Sequence, residues 1–183
     1  CGYILFMDNC RAEVIKMEME SLCHPLPAIY APDSRILILG SFPSVKSREQ
    51  MFFYGHPQNR FWRVMAALLG ANVPQTVEEK RAFLLANHIA LWDVIASCDI
   101  MGSSDASIRN AVPNDLTPIL ETASIRQIFT NGGTAHWLYR KYIYPLTGRE
   151  DAVLPSTSPA NAARSLDALI DAWQPVREAL KEE

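Results

Sequence analysis

Two neighbouring stretches of the sequence combine aromatic, amide and basic side chains beside a predicted strand end. Residues 40–44 read Gly-Ser-Phe-Pro-Ser, and residues 54–62 read Tyr-Gly-His-Pro-Gln-Asn-Arg-Phe-Trp. The first stretch follows an apolar run at residues 36–39, which is typical of a buried strand closed by glycine and proline. The second is broken by proline and opens a predicted helix. Together they offer a ring for stacking, an amide for orienting water and an arginine for contacting phosphate.

Four short apolar runs must form the elements that position these side chains. They lie at residues 35–39, 89–92, 125–130 and 152–154 and alternate with segments of helical periodicity. Strands that alternate with helices predict an α/β fold with a buried parallel sheet and right-handed crossovers. The carboxyl ends of such strands meet at one edge of the sheet, where ligands bind. That edge would receive Ser41, Phe42, Asp93, Asn131 and Ser156.

The remaining segments are predicted from composition and from helix breakers. Residues 9–22 have helical composition with Asn9 as a cap, so we predict a helical extension over residues 1–30 and an α/β domain over residues 31–183. Residues 99–114 are rich in Ser, Asp, Gly and Asn, which indicates a long surface loop. A terminal helix is predicted over residues 165–180, crossing Pro175.

Composition narrows the class of protein. With 183 residues, 49% of them apolar and 20% charged, the chain fits one globular domain. No apolar run approaches the ~18 residues of a membrane span. The four cysteines lack metal-ligand spacing, which indicates reduced thiols and a cytoplasmic protein. A net charge of −3 argues against an extended basic surface, but a local patch suffices for phosphate contact. We expect a monomer without metal or cofactor.

Three motifs together resemble those of a known family. Residues 40–44, residues 55–62 and the run Ser-Thr-Ser-Pro-Ala-Asn at residues 156–161 occur in the order typical of the uracil-DNA glycosylase superfamily. Within it, the chain is most similar to the hypoxanthine (deoxyinosine) DNA glycosylase branch and also resembles the mismatch-specific uracil glycosylases. The resemblance covers residues 35–180. It implies a three-layer α-β-α fold with a four-stranded parallel sheet, no metal, and base excision by base flipping.

One position departs from the mismatch-specific pattern. Those relatives carry a catalytic Asn in the first motif, where this chain has Phe42, and a phenyl ring cannot orient water. The hypoxanthine branch also lacks that amide, so the resemblance implies Asn59 as the catalytic residue. An amide does not bind a proton at neutral pH, and Asn59 would therefore position the water rather than deprotonate it. The alternative role for Asn59 is to cap the helix that follows.

Four side chains are predicted to hold the flipped base. Tyr54 would stack on it, and Phe42 would form a wall of the pocket. Asp93 would accept the N1–H of hypoxanthine and reject adenine, which has an acceptor at N1. Asn131 would bond O6 or N7 of a purine. The alternatives are a core aromatic for Tyr54, a turn cap or surface ion pair for Asp93, and a stabilised Asn-Gly turn for Asn131.

The predicted DNA contacts come from the loops around these side chains. Short hydroxyl side chains and backbone N–H groups suit phosphate, and His56 could donate to phosphate or to the leaving base. The alternatives are a His56 ring held by backbone bonds and a Ser/Pro-rich loop that only starts a helix. The predicted DNA-binding residues are Ser44, His56, Arg60, Ser156, Ser158 and Asn161.

These features predict a DNA repair enzyme that hydrolyses the N-glycosidic bond of deaminated bases, chiefly hypoxanthine, in DNA. The motifs contain no lysine that could form a Schiff base, so a monofunctional glycosylase is expected. The alternatives are a mismatch-specific uracil or thymine DNA glycosylase, a DNA-binding relative with weak or no catalysis, and a protein that acts on free nucleosides.

Overall fold

The computed structural model describes residues 18–181, in which strands alternate with helices. Numbered in chain order, the strands are β1 (Glu20–Cys23), β2 (Ile36–Gly40), β3 (Ile89–Asp93), β4 (Ile95–Met101), β5 (Ser104–Pro113), β6 (Gln127–Asn131) and β7 (Asp151–Leu154). The helices are α1 (Val45–Gln50), α2 (Phe61–Leu69), α3 (Val77–Ala86), α4 (Thr117–Thr122), α5 (Gly133–Leu138), α6 (Tyr144–Thr147), α7 (Leu166–Ala172) and α8 (Gln174–Leu180). A π-helical stretch, Tyr139–Ile143, joins α5 to α6. None of the helices within residues 18–181 combines the length and apolar character that a bilayer crossing requires.

The central element is a parallel sheet in the order β3-β2-β6-β7. Its register pairs Gly40 with Asp93 and Asn131 with Leu154, so the carboxyl ends of the strands lie level at one edge. β2 is buried along its whole length, as expected for a parallel strand covered on both faces. The parallel sheet predicted from the four apolar runs is therefore confirmed.

Alternate residues of β2 enter two cores on opposite faces of the sheet. Ile38 packs in a core with Phe61 and Trp173, which belong to α2 and to the junction between α7 and α8. Leu39 packs in the other core with Leu138 of α5. Helices thus cover both faces of the sheet, and the three-layer α-β-α fold is confirmed.

The segment predicted as a long surface loop, residues 99–114, is mostly β-structure. β4 pairs antiparallel with β5 on one side and with β1 on the other, which forms a second sheet in the order β1-β4-β5. The hairpin turns at Gly102, whose φ of 59° is a left-handed conformation that glycine adopts without strain. The prediction was wrong because it followed the polar composition of the segment, although Ile100 is buried and the segment pairs with buried positions of β4.

The predicted helix over residues 9–22 is wrong at the positions that can be compared. Residues 9–17 lie outside the described residues, but Glu20–Cys23 is strand β1 and pairs with β4. Tertiary pairing overrides helical composition because intrinsic propensities are weak. The following segment is also part of the fold, since Leu26 and Ile29 are buried in the core that contains Ile38. The division of the chain at residue 31 stays a prediction.

The terminal segment forms two helices rather than the single helix predicted over residues 165–180. α7 ends at Ala172, and α8 begins at Gln174 with Pro175 in its first turn. A proline lacks an N–H donor and fixes φ, so it is accommodated where a helix begins but not inside one. Trp173 lies buried at the junction and donates from Nε1 to the carbonyl of Pro155 at 2.9 Å, which ties the helices to the loop after β7.

Candidate active site

A cavity of about 600 Å³ opens at the carboxyl edge of the parallel sheet. The loops after all four strands contribute to it, through Ser41, Asp93, Asn131 and Ser156. This is the edge at which open α/β sheets bind ligands. Every residue predicted from the sequence to form the site lines this cavity except Arg60.

Asp93 lies on the floor of the cavity, with 4% of its surface exposed. Its Oδ2 atom is 2.8 Å from Nε2 of His24, whose side chain is equally buried. His24 Nδ1 accepts a hydrogen bond from the Leu26 N–H at 3.1 Å. Because Nδ1 is an acceptor, the neutral imidazole carries its proton on Nε2 and donates it to Asp93. The second carboxylate oxygen, Oδ1, lies above Gly40 and is left for another partner.

Gly40 provides the space in which Asp93 and Tyr54 converge. A Cβ atom at position 40 would collide with Asp93 Oδ1 and would lie 3.3 Å from the Tyr54 hydroxyl. The Tyr54 ring stacks on Phe61, with the ring centroids 4.0 Å apart. Its hydroxyl is buried and makes no hydrogen bond of good geometry, although the Asn131 side chain lies near it. Burial and the Asp93 carboxylate raise the pKa of Tyr54, so the phenol stays protonated.

A second carboxylate enters the cavity from the β4–β5 hairpin. Asp105, on β5, lines the cavity, and its Oδ2 accepts a hydrogen bond from Ser41 Oγ at 2.7 Å. Burial raises the pKa of Asp105, and the Asp93 carboxylate adds to the increase, while the Ser41 hydrogen bond opposes it. The cavity therefore holds two acidic groups, each with a different partner.

Asn59 lines the same cavity as Asp93 and the loop after β7. Its side-chain oxygen accepts a hydrogen bond from the Phe61 N–H at 2.9 Å, at the start of α2. Asn59 thus satisfies one backbone N–H at the start of α2, while the N-cap position itself is Arg60, which makes no side-chain cap. An amide oxygen has two lone pairs, so this hydrogen bond orients Asn59 and leaves one acceptor site for water. The predicted catalytic role stays a prediction.

Arg60 lies behind the cavity and holds the loop after β7. Its guanidinium donates to the carbonyl oxygens of Thr157, Ser158, Asn161 and Arg164. Its backbone N–H also donates to Thr157 O, at 3.1 Å. These side-chain bonds occupy four of the five guanidinium donors. We therefore reassign Arg60 from phosphate contact to positioning of the loop.

Asn131 fixes the same loop from the sheet side. Its Nδ2 donates to Thr157 Oγ1 at 2.9 Å, and its Oδ1 accepts from the Thr157 N–H at 3.0 Å. One hydrogen of the Asn131 amide is not used by these bonds, so the side chain can still donate a hydrogen bond to a base. The loop position is thus set by a strand residue on one side and by Arg60 on the other.

The loop itself, residues 156–161, presents hydroxyl groups to the cavity. Ser156 Oγ accepts from the Ser158 N–H, and Ser158 Oγ accepts from the Ala160 N–H, both at 3.2 Å. Because each oxygen accepts a backbone hydrogen, each hydroxyl keeps its own proton for donation. Asn161 Nδ2 donates to Ser156 O at 2.9 Å and closes the loop. This arrangement suits an anionic ligand such as phosphate.

The remaining predicted residues line the side of the cavity formed by the first two motifs. Phe42 packs edge-on against His24, with the ring centroids 5.8 Å apart. Ser44 caps α1 by accepting the Ser47 N–H. His56 Nδ1 accepts the Gln58 N–H at 3.1 Å, which leaves the Nε2–H of the neutral ring as a donor. Among the described residues, no group of three His, Cys, Asp or Glu side chains could hold a metal ion.

A sequence model described as the Uracil DNA glycosylase superfamily matches residues 27–181. The chain belongs to this superfamily. The match covers the parallel sheet, both helical layers and every residue that lines the cavity, while His24, the partner of Asp93, lies just before it.

Relatives of this superfamily member are found in methanogenic archaea. The chain is 35% identical over 136 residues to a Methanosarcina acetivorans protein named hypoxanthine DNA glycosylase, covering 74% of this chain and 85% of the relative. A Methanosarcina barkeri protein of the same name is 30% identical over 148 residues, covering 80% of this chain and 92% of the relative. The solution NMR structure of a candidate uracil DNA glycosylase from Methanosarcina acetivorans superimposes with a TM-score of 0.73 at 34% identity, covering 86% and 97% of the two chains.

Sequence reasoning missed two residues of this superfamily member's site: Asp105, which lines the cavity, and His24, which holds Asp93. His24 reaches Asp93 across 69 positions of sequence, and no motif surrounds it. Asp105 lay in the segment interpreted as a surface loop. The buried positions of β4 were a usable signal for Asp105, because a hairpin after β3 must pack near the carboxyl edge of the sheet. No local signal identified His24.

Proposed function

We propose that this protein is a monofunctional DNA glycosylase that removes deaminated bases, chiefly hypoxanthine, from DNA by base flipping. The names of the two archaeal relatives support this substrate. The observation that carries the proposal is the Asp93–His24 pair on the floor of a cavity built from all four strand ends. The cavity volume of about 600 Å³ suits an extruded purine nucleotide.

Asp93 distinguishes between bases. In hypoxanthine N1 carries a hydrogen, whereas in adenine N1 is an acceptor. Asp93 Oδ1 accepts the N1–H of hypoxanthine while His24 holds Oδ2. Adenine would place a lone pair against a buried carboxylate, and sites built around a specific hydrogen bond reject such analogues by roughly 10⁴-fold.

Asn59 positions the attacking water. Its oxygen is oriented by the Phe61 N–H, and the second lone pair accepts a hydrogen from a water below C1′. The C1′–N9 bond breaks with its electron pair leaving on the purine, and the sugar gains oxocarbenium character. The Nε2–H of His56 is available to the departing purine or to a neighbouring phosphate.

The loop after β7 holds the DNA backbone. Ser156 and Ser158 donate their hydroxyl protons to phosphate oxygens, while Arg60 and Asn131 keep the loop in place from behind. The motifs contain no lysine for a Schiff base, so hydrolysis leaves an abasic site without strand cleavage.

The test is release of base from a labelled duplex that contains a single deoxyinosine, with enzyme in excess, followed by alkali to cut at the abasic site. Parallel duplexes carry uracil, mismatched thymine or an undamaged adenine at the same position. We expect the largest single-turnover rate constant for deoxyinosine and no product from adenine. Absence of an alkali-labile site in the deoxyinosine duplex would overturn the proposal.

A second candidate is a mismatch-specific uracil or thymine glycosylase, which the name of the matching family and of the structural relative favours. Faster release of uracil than of hypoxanthine in the same experiment would support it. A third is a DNA-binding relative without catalysis, which Phe42 favours because it replaces a water-orienting amide. It requires tight duplex binding without abasic product. The cytoplasmic location, the monomeric state and the absence of metal and cofactor stay predictions.

A further inference from the structure

We infer that Asp105 is a second catalytic residue of this glycosylase, the general base that takes the proton of the attacking water. The inference rests on the proposed function and deepens it. Three observations carry it: Asp105 faces the cavity, the Ser41 hydroxyl orients its carboxylate, and Asp93, the other acidic side chain that lines the cavity, is already paired with the His24 ring.

The cavity needs a proton acceptor that the first two motifs do not supply. Phe42 occupies the position of the amide found in mismatch-specific relatives, and its ring has no acceptor atom for water. Asn59 can orient water but cannot take its proton at neutral pH. Asp93 is held by His24 and lies on the floor, where the base binds. Asp105 is the acidic group that remains.

The hairpin brings Asp105 to the first motif itself. Ser41, which donates to Asp105 Oδ2 at 2.7 Å, is the residue immediately before Phe42. The turn of the hairpin is fixed to the same segment, because the Val45 N–H donates to Ser103 Oγ at 2.9 Å. The carboxylate of Asp105, which belongs to the second sheet, therefore lies beside the segment in which Phe42 provides no polar group.

The carboxylates of Asp93 and Asp105 lie at different depths in the cavity, and each depth corresponds to a different part of a bound nucleotide. Asp93 is buried at the floor, whereas Asp105 is only half-buried and is flanked by the exposed residues Ser104 and Ala106 at the rim. A flipped nucleotide enters with its base first, so the base reaches the floor and the sugar stays near the rim. Asp105 is then available on the sugar side, where water attacks, and Asn59 lines the same cavity.

The groups around Asp105 favour a carboxylate that can exchange a proton. Asp93, on β3, repels the negative charge of Asp105. Tyr54, just before the second motif, presents a protonated phenol. From β4, burial raises the pKa of Cys98 to about 11, so this thiol is neutral. From α1, the Arg48 guanidinium lies 5.9 Å from the centre of the Phe42 ring. The result is a raised pKa for Asp105, which brings a carboxyl group closer to the range suited to general base catalysis.

The proposed step balances without a further reactant. The water oxygen forms a bond to C1′ as the C1′–N9 bond breaks and its electron pair leaves on the purine. Asp105 takes one proton from that water, and the purine anion, to which the Nε2–H of His56 can donate a hydrogen bond, is protonated by solvent. Asp105 then returns its proton to solvent, which leaves an abasic sugar and a neutral base.

The test compares Asp105→Asn with the wild-type protein in single-turnover excision from the deoxyinosine duplex between about pH 5 and 8. We expect the rate constant of the variant to fall by about 10²-fold or more at pH 7 and to lose the decline that the wild type shows on acidification. Asp99→Asn is the matched control, because Asp99 lies on the same hairpin and its carboxylate bonds to Ser21 and Asn110 instead of facing the cavity. We expect wild-type rates for it.

Ser41→Ala provides a second measurement that a structural role would not reproduce. The Ser41 hydroxyl favours the charged form of Asp105, so its removal raises the pKa of that carboxyl and moves the acidic decline of the rate to higher pH. Wild-type rate and pH profile in Asp105→Asn would overturn the inference while the proposed function stands. Absence of base release from every duplex by the wild type would instead overturn the proposed function, and the inference with it.

Discussion

The floor and the rim of the cavity each contain a carboxylate, but they hold it in different ways. At the floor, Asp93 ends a strand of the parallel sheet and is fixed by the buried ring of His24. At the rim, Asp105 comes from an antiparallel hairpin and is held by the hydroxyl of Ser41. A buried, rigidly paired carboxylate suits recognition of a base, and a half-buried one with a raised pKa suits proton transfer. The comparison suggests that floor residues set selectivity and rim residues set rate.

The largest effect is expected for Asn59→Ala at the rim. Loss of the water-positioning oxygen should lower the single-turnover rate constant by about 10²–10³-fold on every substrate base, because the water is shared by all of them. Duplex affinity, measured by fluorescence anisotropy, should stay near wild type. If Asn59→Ala changed the base preference without lowering the rate constant, Asn59 would act as the floor residues do, which would contradict the comparison.

Asp93→Asn should have the next largest effect and should act on selectivity. The amide loses the charge-assisted acceptor for N1–H, so hypoxanthine release should fall by about 10–100-fold relative to the wild type, and discrimination against adenine should weaken. The single-turnover rate constants on the deoxyinosine and adenine duplexes are the measurement. Wild-type release of hypoxanthine and unchanged rejection of adenine would contradict a reading role for this carboxylate.

His24→Phe tests the comparison further, because it removes the hydrogen-bond partner of Asp93 and leaves Asp93 itself unchanged. Phenylalanine keeps an aromatic ring beside Phe42 but cannot donate to Asp93 or accept the Leu26 N–H. We expect about a fivefold loss of hypoxanthine release, since one buried hydrogen bond contributes about 1 kcal/mol. His88→Phe, at a residue on the far side from the cavity beside Asp33, is the control and should keep the wild-type rate. Equal rate constants for His24→Phe and His88→Phe would show that His24 does not contribute to base release.

Arg60→Lys should have a smaller effect, because it acts through the loop. Lysine cannot reproduce the planar set of donors that bonds several carbonyl oxygens at once. We expect duplex affinity to fall by about threefold to tenfold, which corresponds to one or two hydrogen bonds. The exposed Arg81→Lys on α3 is the control. If Arg60→Gln lowered the slope of log affinity against log salt concentration by about one, Arg60 would contact a phosphate directly.

The smallest effect is a stability difference at the rim. A carboxyl group whose pKa is raised by folding destabilises the fold above its folded pKa and has no such effect below its unfolded pKa. Asp105→Asn should therefore melt at a higher temperature than the wild type at pH 7, and the difference should narrow toward about pH 4. Thermal unfolding followed by circular dichroism at the two pH values measures it. A lower melting temperature at pH 7 would mean that Asp105 is mainly a structural partner of Ser41.

Local sequence was sufficient for the parallel sheet and for most of the cavity lining. The strand from Ile36 to Gly40 is a continuous apolar run, and its pattern does not depend on distant residues. The hairpin was missed because its pairing has three register shifts, which disturb the alternation that normally identifies a strand. The break between two helices at Trp173 was missed because the helical periodicity of the terminal segment continues through Pro175. In the structure, Pro175 lies in the first turn of a second helix.

The four strands, the order of the motifs and the side-chain types available for chemistry follow from sequence patterns, because these depend on residues that are close in the chain. The partner of each side chain depends instead on the packing of distant segments. His24 reaches Asp93, Ser41 holds Asp105, and Arg60 bonds the loop after β7 across large separations in sequence. Such pairings depend on how the sheets and helical layers pack, and local propensity carries no information about them.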